Sequence, residues 1–134
     1  MVRARKNTEM VRSPGKLELK FTGDDPGIAM DLRGKVNLPV GPYQLTFALT
    51  TNWQGNGEVF FTEDDRTSLP KGTRVEFEVK GGESQQNVKI KIDTAKRLRQ
   101  LRIDITDGLG IAIVSDLQLL DGKGEVVEDW TPKQ

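Results

Sequence analysis

Whatever chemistry this chain of 134 residues does, it does without imidazole or thiol, because the sequence contains no histidine and no cysteine. His general bases, Ser-His-Asp triads, Cys nucleophiles and thiolate zinc sites are excluded together. Carboxylates remain. Asp24-Asp25, Asp64-Asp65 and Asp104 with Asp107 form acidic pairs, and cleavage of a glycosidic bond needs only two carboxyls about 5 to 9 Å apart. The first two pairs stand in turn contexts, where Asp serves backbone hydrogen bonding and unusual dihedrals. A carboxylate-dependent hydrolase is therefore a remote reading. The turn Gly23-Asp-Asp-Pro-Gly27 could also supply oxygens to a hard cation, and Asp24 and Asp25, completed by Asp116, are the candidate ligands of a structural calcium ion. The spaced Asp-x-Asp-x-Asp-Gly calcium loop is absent.

The rings carry a second possibility. In Thr51-Asn-Trp-Gln-Gly-Asn-Gly-Glu-Val-Phe-Phe61 a tryptophan sits in an Asn/Gly turn ahead of two adjacent phenylalanines. Neighbours on a strand point to opposite faces, so at most one of Phe60 and Phe61 enters a common core. Tyr43, Trp53, Phe60, Phe61 and Arg66, with Asn52, Gln54 and Asn56 beside them, have the chemistry of a sugar site: flat rings for C–H faces, amides and a guanidinium for hydroxyls or sulfate. The competing assignment folds Trp53 back over one end of the domain. Trp130, beside Pro132, reads as a plug for the last hairpin. Arg102 and Asp104, two apart on one strand, read as a surface framework pair worth at most about 1 kcal/mol. The glycines of "GNG" and "DGLG" precede no helix, so they form no phosphate cradle.

The elements that hold these residues are strands. Apolar residues alternate with polar ones at Leu17-Leu19-Phe21, Ile28-Met30-Leu32, Tyr43-Leu45-Phe47-Leu49, Val59-Phe61, Val75-Phe77-Val79, Val88-Ile90-Ile92 and Leu101-Ile103-Ile105, and apolar positions continue through Ile111, Ile113, Leu117 and Leu119 to Val126 and Val127. Residues 93–101 are too short for a lone helix and read as a turn plus strand. About eight or nine strands broken by Gly, Pro and Asp predict an all-β antiparallel β-sandwich of jelly-roll type.

Length allows one core, burying about 65 to 70% of the unfolded surface. At 35% hydrophobic and 30% charged residues the composition is globular, and no apolar run approaches the roughly 18 residues of a membrane span. The 20 basic and 20 acidic residues cancel, which argues against nucleic acid as the main partner. Residues 1–12 hold Arg3, Arg5, Lys6 and Arg12 against Glu9 alone. We read 1–15 as a flexible basic tail or linker remnant and 16–134 as the sandwich domain.

The stretches "LPVGPYQLTFALTT" (38–51) and "LRQLRIDITDGLGIAIVSDLQLLDGKGEVVEDW" (98–130) resemble the galactose-binding-like jelly-roll domains appended to planctomycete-type bacterial sulfatases. Where such domains often have Pro after Arg-x-Asp, this chain has Ile105. The resemblance implies an accessory, non-catalytic domain that holds a polysaccharide, sulfated or not, near a catalytic sulfatase domain in the periplasm or outside the cell. The Cys/Ser-x-Pro-x-Arg sulfatase signature is not matched by "RSPGK" (12–16). The alternative is a purely structural domain that packs on a catalytic neighbour or subunit and binds no sugar.

Overall fold

The computed structural model describes residues 1–63 and 72–133. They form eleven strands and no helix: β1 (Val2–Ala4), β2 (Thr8–Ser13), β3 (Lys16–Phe21), β4 (Ile28–Asp31), β5 (Tyr43–Thr51), β6 (Gly55–Thr62), β7 (Thr73–Val79), β8 (Gln86–Ile92), β9 (Gln100–Asp104), β10 (Gly110–Leu120) and β11 (Val126–Asp129). One sheet has the order β1-β4-β9-β6-β7; the other has β2-β3-β10-β5-β8, with β11 on the same flank of β10 as β3 but further along. Every pairing is antiparallel. The chain is the expected antiparallel β-sandwich of jelly-roll type.

Alternation builds the core. Leu17, Leu19, Phe21, Leu45, Phe47, Leu49, Val88, Ile90 and Ile92 from one sheet meet Ile28, Met30, Val59, Phe61, Leu101 and Ile103 from the other, all buried. The Phe77 ring stands edge-on to Phe47, with centroids 5.8 Å apart. Trp130 is buried, and its main-chain N–H donates to the Leu117 carbonyl at 2.9 Å.

Two departures from the sequence reading have local causes. Residues 1–15 are not a loose tail. β1 pairs with β4 and β2 with β3, so the two segments form edge strands of opposite sheets. Val2 is buried while Arg3 and Arg5 flank it outward and part-way, and these few charges hide a strand pattern too short to see by periodicity. The second departure is in β10. Its register on β5 shifts between Ser115 and Gln118, a bulge that holds Asp116 at φ 52°. The inward residues are Ala112 and Val114 before the bulge and Leu117 and Leu119 after it. Ile111 and Ile113, in phase with Leu117 by count, consequently face outward.

Candidate functional site

The structure separates the predicted aromatic set. Tyr43 is only 2% exposed. Its hydroxyl donates to the Pro39 carbonyl and accepts from the Leu98 N–H at 3.1 Å, tying two loops together, and burial raises its pKa. Phe61, also 2% exposed, belongs to the core. Neither ring has a face for a ligand, because both occupy inward positions of their strands. Trp53 is half-buried and packs against the core; its six-membered ring lies over Gly55, where an added Cβ would come within 2.4 Å of the indole. Arg66, with Asp64 and Asp65, lies outside the described residues.

Phe60 alone of the predicted rings is on an outer sheet face. The registers place Arg3, Ala29, Arg102, Phe60 and Arg74 in one row across all five strands of the first sheet. The Arg102 guanidinium lies 4.8 Å from the Phe60 ring centroid, a cation–π contact that fixes the ring. Arg102 is itself only 5% exposed, so the surface framework pair expected with Asp104 is instead a covered network. Its Nε donates to Asp104 Oδ1 at 2.8 Å and its Nη2 to Asp104 Oδ2 at 2.6 Å, a two-pronged pair, while Nη2 also donates to Asp25. Burial raises the pKa of Asp104, with Arg102 opposing it. At Asp25 burial also acts upward, but Arg102 and Arg5 outweigh it and the pKa falls.

The turn at 23–27 makes this network possible. Asp25 sits at φ 55°, its carbonyl accepting from Arg5 Nη1 at 2.9 Å. Gly27 lies so close to β9 that a Cβ there would stand 2.4 Å from Asp104 Oδ1 and 2.8 Å from the Ile103 carbonyl. "GDDPG" is thus a lid on Arg102. As a calcium site the proposed trio does not assemble: Asp24 and Asp25 are in the turn after Phe21, whereas Asp116 follows Ser115, which faces Lys16 at the opposite end of β3. The length of a six-residue strand, roughly 17 Å, lies between them. No group of His, Cys, Asp or Glu suited to a metal ion occurs among the described residues.

Beside Phe60, along the same outer face, Asp25, Asn56, Glu58, Asp104, Thr106 and Asp107 line a groove of 240 Å³. Glu58 forms an ion pair with Arg74 Nε at 3.1 Å, and Thr106 donates its hydroxyl to the Gly108 carbonyl at 2.8 Å. Both Asp25 and Asp104 bind the same guanidinium. A larger groove, 510 Å³, crosses the outer face of the second sheet, where Val11 and Ile111 are 60% and 52% exposed beside Ile113, Glu9, Glu18 and Lys20. Neither groove has a ring in its lining, but Phe60 stands beside the smaller one. Volume favours the second groove, but a ring backed by fixed polar groups is what orients a ligand, so the Phe60 face is the candidate site. Arg102, Asp104 and Glu58 were missed as site residues. The outward period-two pattern of "LRID" and "EVFF" was the available signal.

No protein-family model and no curated protein matches the sequence. Solved structures do resemble it. CBM29_1, a family 29 carbohydrate-binding module from Piromyces equi, aligns with a TM-score of 0.65 at 12% identity, covering 88% of this chain and 78% of that one. A CBM29-2 mutant complexed with cellulohexaose gives 0.61 at 8% identity, covering 88% and 78%. TmCBM61 in complex with beta-1,4-galactotriose gives 0.52 at 17% identity, covering 90% and 87%. At such identities the likeness shows a shared fold.

Proposed function

We propose that this domain is a non-catalytic carbohydrate-binding module whose site is the outer face of the first sheet at Phe60. The observation that carries the reading is the Phe60 ring, held against the buried Arg102 guanidinium and bordered by a groove of polar side chains. A flat ring takes a sugar's C–H face, and the fixed oxygens beside it take hydroxyls. The solved structures of this shape support the reading, being carbohydrate-binding modules, two of them with oligosaccharides named in their complexes. Its role would be to keep a polysaccharide near a partner enzyme. A sulfatase is the partner suggested by the resemblance at 38–51 and 98–130. One ring gives modest affinity, millimolar to high micromolar, about −4 to −6 kcal/mol.

Affinity electrophoresis of the full chain in polysaccharide gels tests this. Phe60→Ala should lose retention at least about tenfold, while Ile111→Ser on the opposite face retains that of the parent protein. Equal retention of the Phe60 variant and the parent in every gel would remove the site from this face. One observation favours a second reading: the exposed Val11 and Ile111 give the second sheet an apolar face of the kind that packs on a neighbouring domain. In that case Phe60→Ala is silent and no polysaccharide is retained.

A further inference from the structure

We infer that the groove beside Phe60 selects uncharged, hydroxyl-rich sugar units and turns away sulfate esters and carboxylates, an inference that rests on the binding reading above. The argument is the direction of the unused hydrogen-bonding capacity. Among the described residues, the cations around the groove are engaged by carboxylates of the same chain; Arg3, three strands from Phe60 in its row, does not line it. Arg102 holds Asp104 through two nitrogens and Asp25 through one. Arg5 and Lys6 stand 3.5 and 3.9 Å from Asp25, and Arg74 stands 3.1 Å from Glu58. The Thr106 hydroxyl proton is committed to Gly108.

What the groove presents outward is therefore acceptor oxygen: Asp25, Asp104, Glu58 and Asp107, with the exposed amide of Asn56 as the one side-chain donor among the lining residues. Asp107 is exposed and makes no ion pair with any described residue; of the Glu58 carboxylate, Oε2 is closed off from solvent against Arg74 Nε, which leaves at most Oε1 for a ligand. Sugar hydroxyls bring protons to such oxygens and form charge-assisted bonds. A sulfate ester brings only acceptors and a negative charge, so it meets repulsion from four carboxylates and, among the described lining residues, finds only the Asn56 amide as a donor. Arg66, the guanidinium offered for sulfate from the sequence, lies outside the described residues, and the described lining favours the opposite partner.

The test is affinity electrophoresis of the full chain, at low and at high salt, in gels of galactan, mannan and hydroxyethylcellulose, each paired with its chemically sulfated derivative. The expected result is retention by at least one unmodified polymer, at least about tenfold weaker retention by its sulfated partner, and a narrower gap for Glu58→Gln/Asp107→Asn, which removes two of the negative charges. Tighter retention by the sulfated form, abolished in Phe60→Ala, overturns the selectivity and leaves the site in place. Absence of retention in every gel, or retention indifferent to Phe60→Ala, overturns the site and the selectivity together. Circular dichroism melts of each variant confirm that it is folded.

Discussion

On the first sheet the outward positions of β6 and β9 carry Phe60, Glu58, Arg102 and Asp104; on the second, those of β2 and β10 carry Val11, Ile111 and Ile113. Both faces come from the same alternation, yet one is an aromatic ring in a charged network and the other an aliphatic groove. The difference lies in what crosses to each face from outside its sheet. The turn 23–27 delivers Asp25 onto Arg102, closing the network, whereas on the second sheet the outward Ile111 and Ile113 stand opposite Lys20 and Glu18 of β3 with no ring among them. Preorganisation on the first face comes from a loop, and exposure on the second comes from a register shift.

That contrast can be broken at several points. Phe61→Ala should cost about 3–5 kcal/mol in urea unfolding, as a buried ring leaves a cavity, while its neighbour Phe60→Ala costs about 1–2 kcal/mol, the size of a partly covered cation–π contact. Similar losses for the two would mean that Phe60 is a second core residue and no platform. Gly27→Ala should cost about 1–3 kcal/mol, because the new methyl must displace the Ile103 carbonyl or the Asp104 carboxylate. It should also weaken polysaccharide retention by freeing Arg102 from its position over Phe60; a destabilised variant with full retention would separate the network from the site.

The smallest effect is electrostatic. Asp31, on the outer face of the first sheet, accepts from Arg33 Nε at 2.9 Å and Nη2 at 2.8 Å, and these hydrogen bonds lower its pKa from 3.8 to about 2. A depressed carboxylate contributes stability that is whole above its unfolded value and is lost as pH falls toward 2. The pair is largely exposed, so the contribution is under about 1 kcal/mol. Asp31→Asn should flatten that part of the acid unfolding profile between pH 4 and 2; an unchanged profile would show the pair contributes nothing.

Much of the fold was legible because burial in a two-sheet protein is written locally. Leu45-Phe47-Leu49 and Leu101-Ile103-Ile105 alternate as their strands do, and the adjacency of Phe60 and Phe61 already required one to face out. Tyr43 obeys the same logic: it sits in phase with Leu45, so the alternation places it inward, against its grouping with the rings of a sugar site. The tail was misread because β1 and β2 are edge strands of few residues with charges on their outer sides. The site was only half visible. Arg102 and Asp104 looked like a surface pair since their third partner, Asp25, is 77 residues away in the chain.

The sequence by itself determined which residues alternate, and so that the chain closes two antiparallel sheets over one core without imidazole or thiol. Only the tertiary structure decided that Phe60 faces out and Phe61 in, that the 23–27 turn locks Arg102 and lies a strand's length from Asp116, and that β10 slips its phase at Asp116. The physical reason is range. Alternation is set by neighbouring Cβ directions, whereas register, bulges and a shared guanidinium depend on which distant strand or loop arrives alongside.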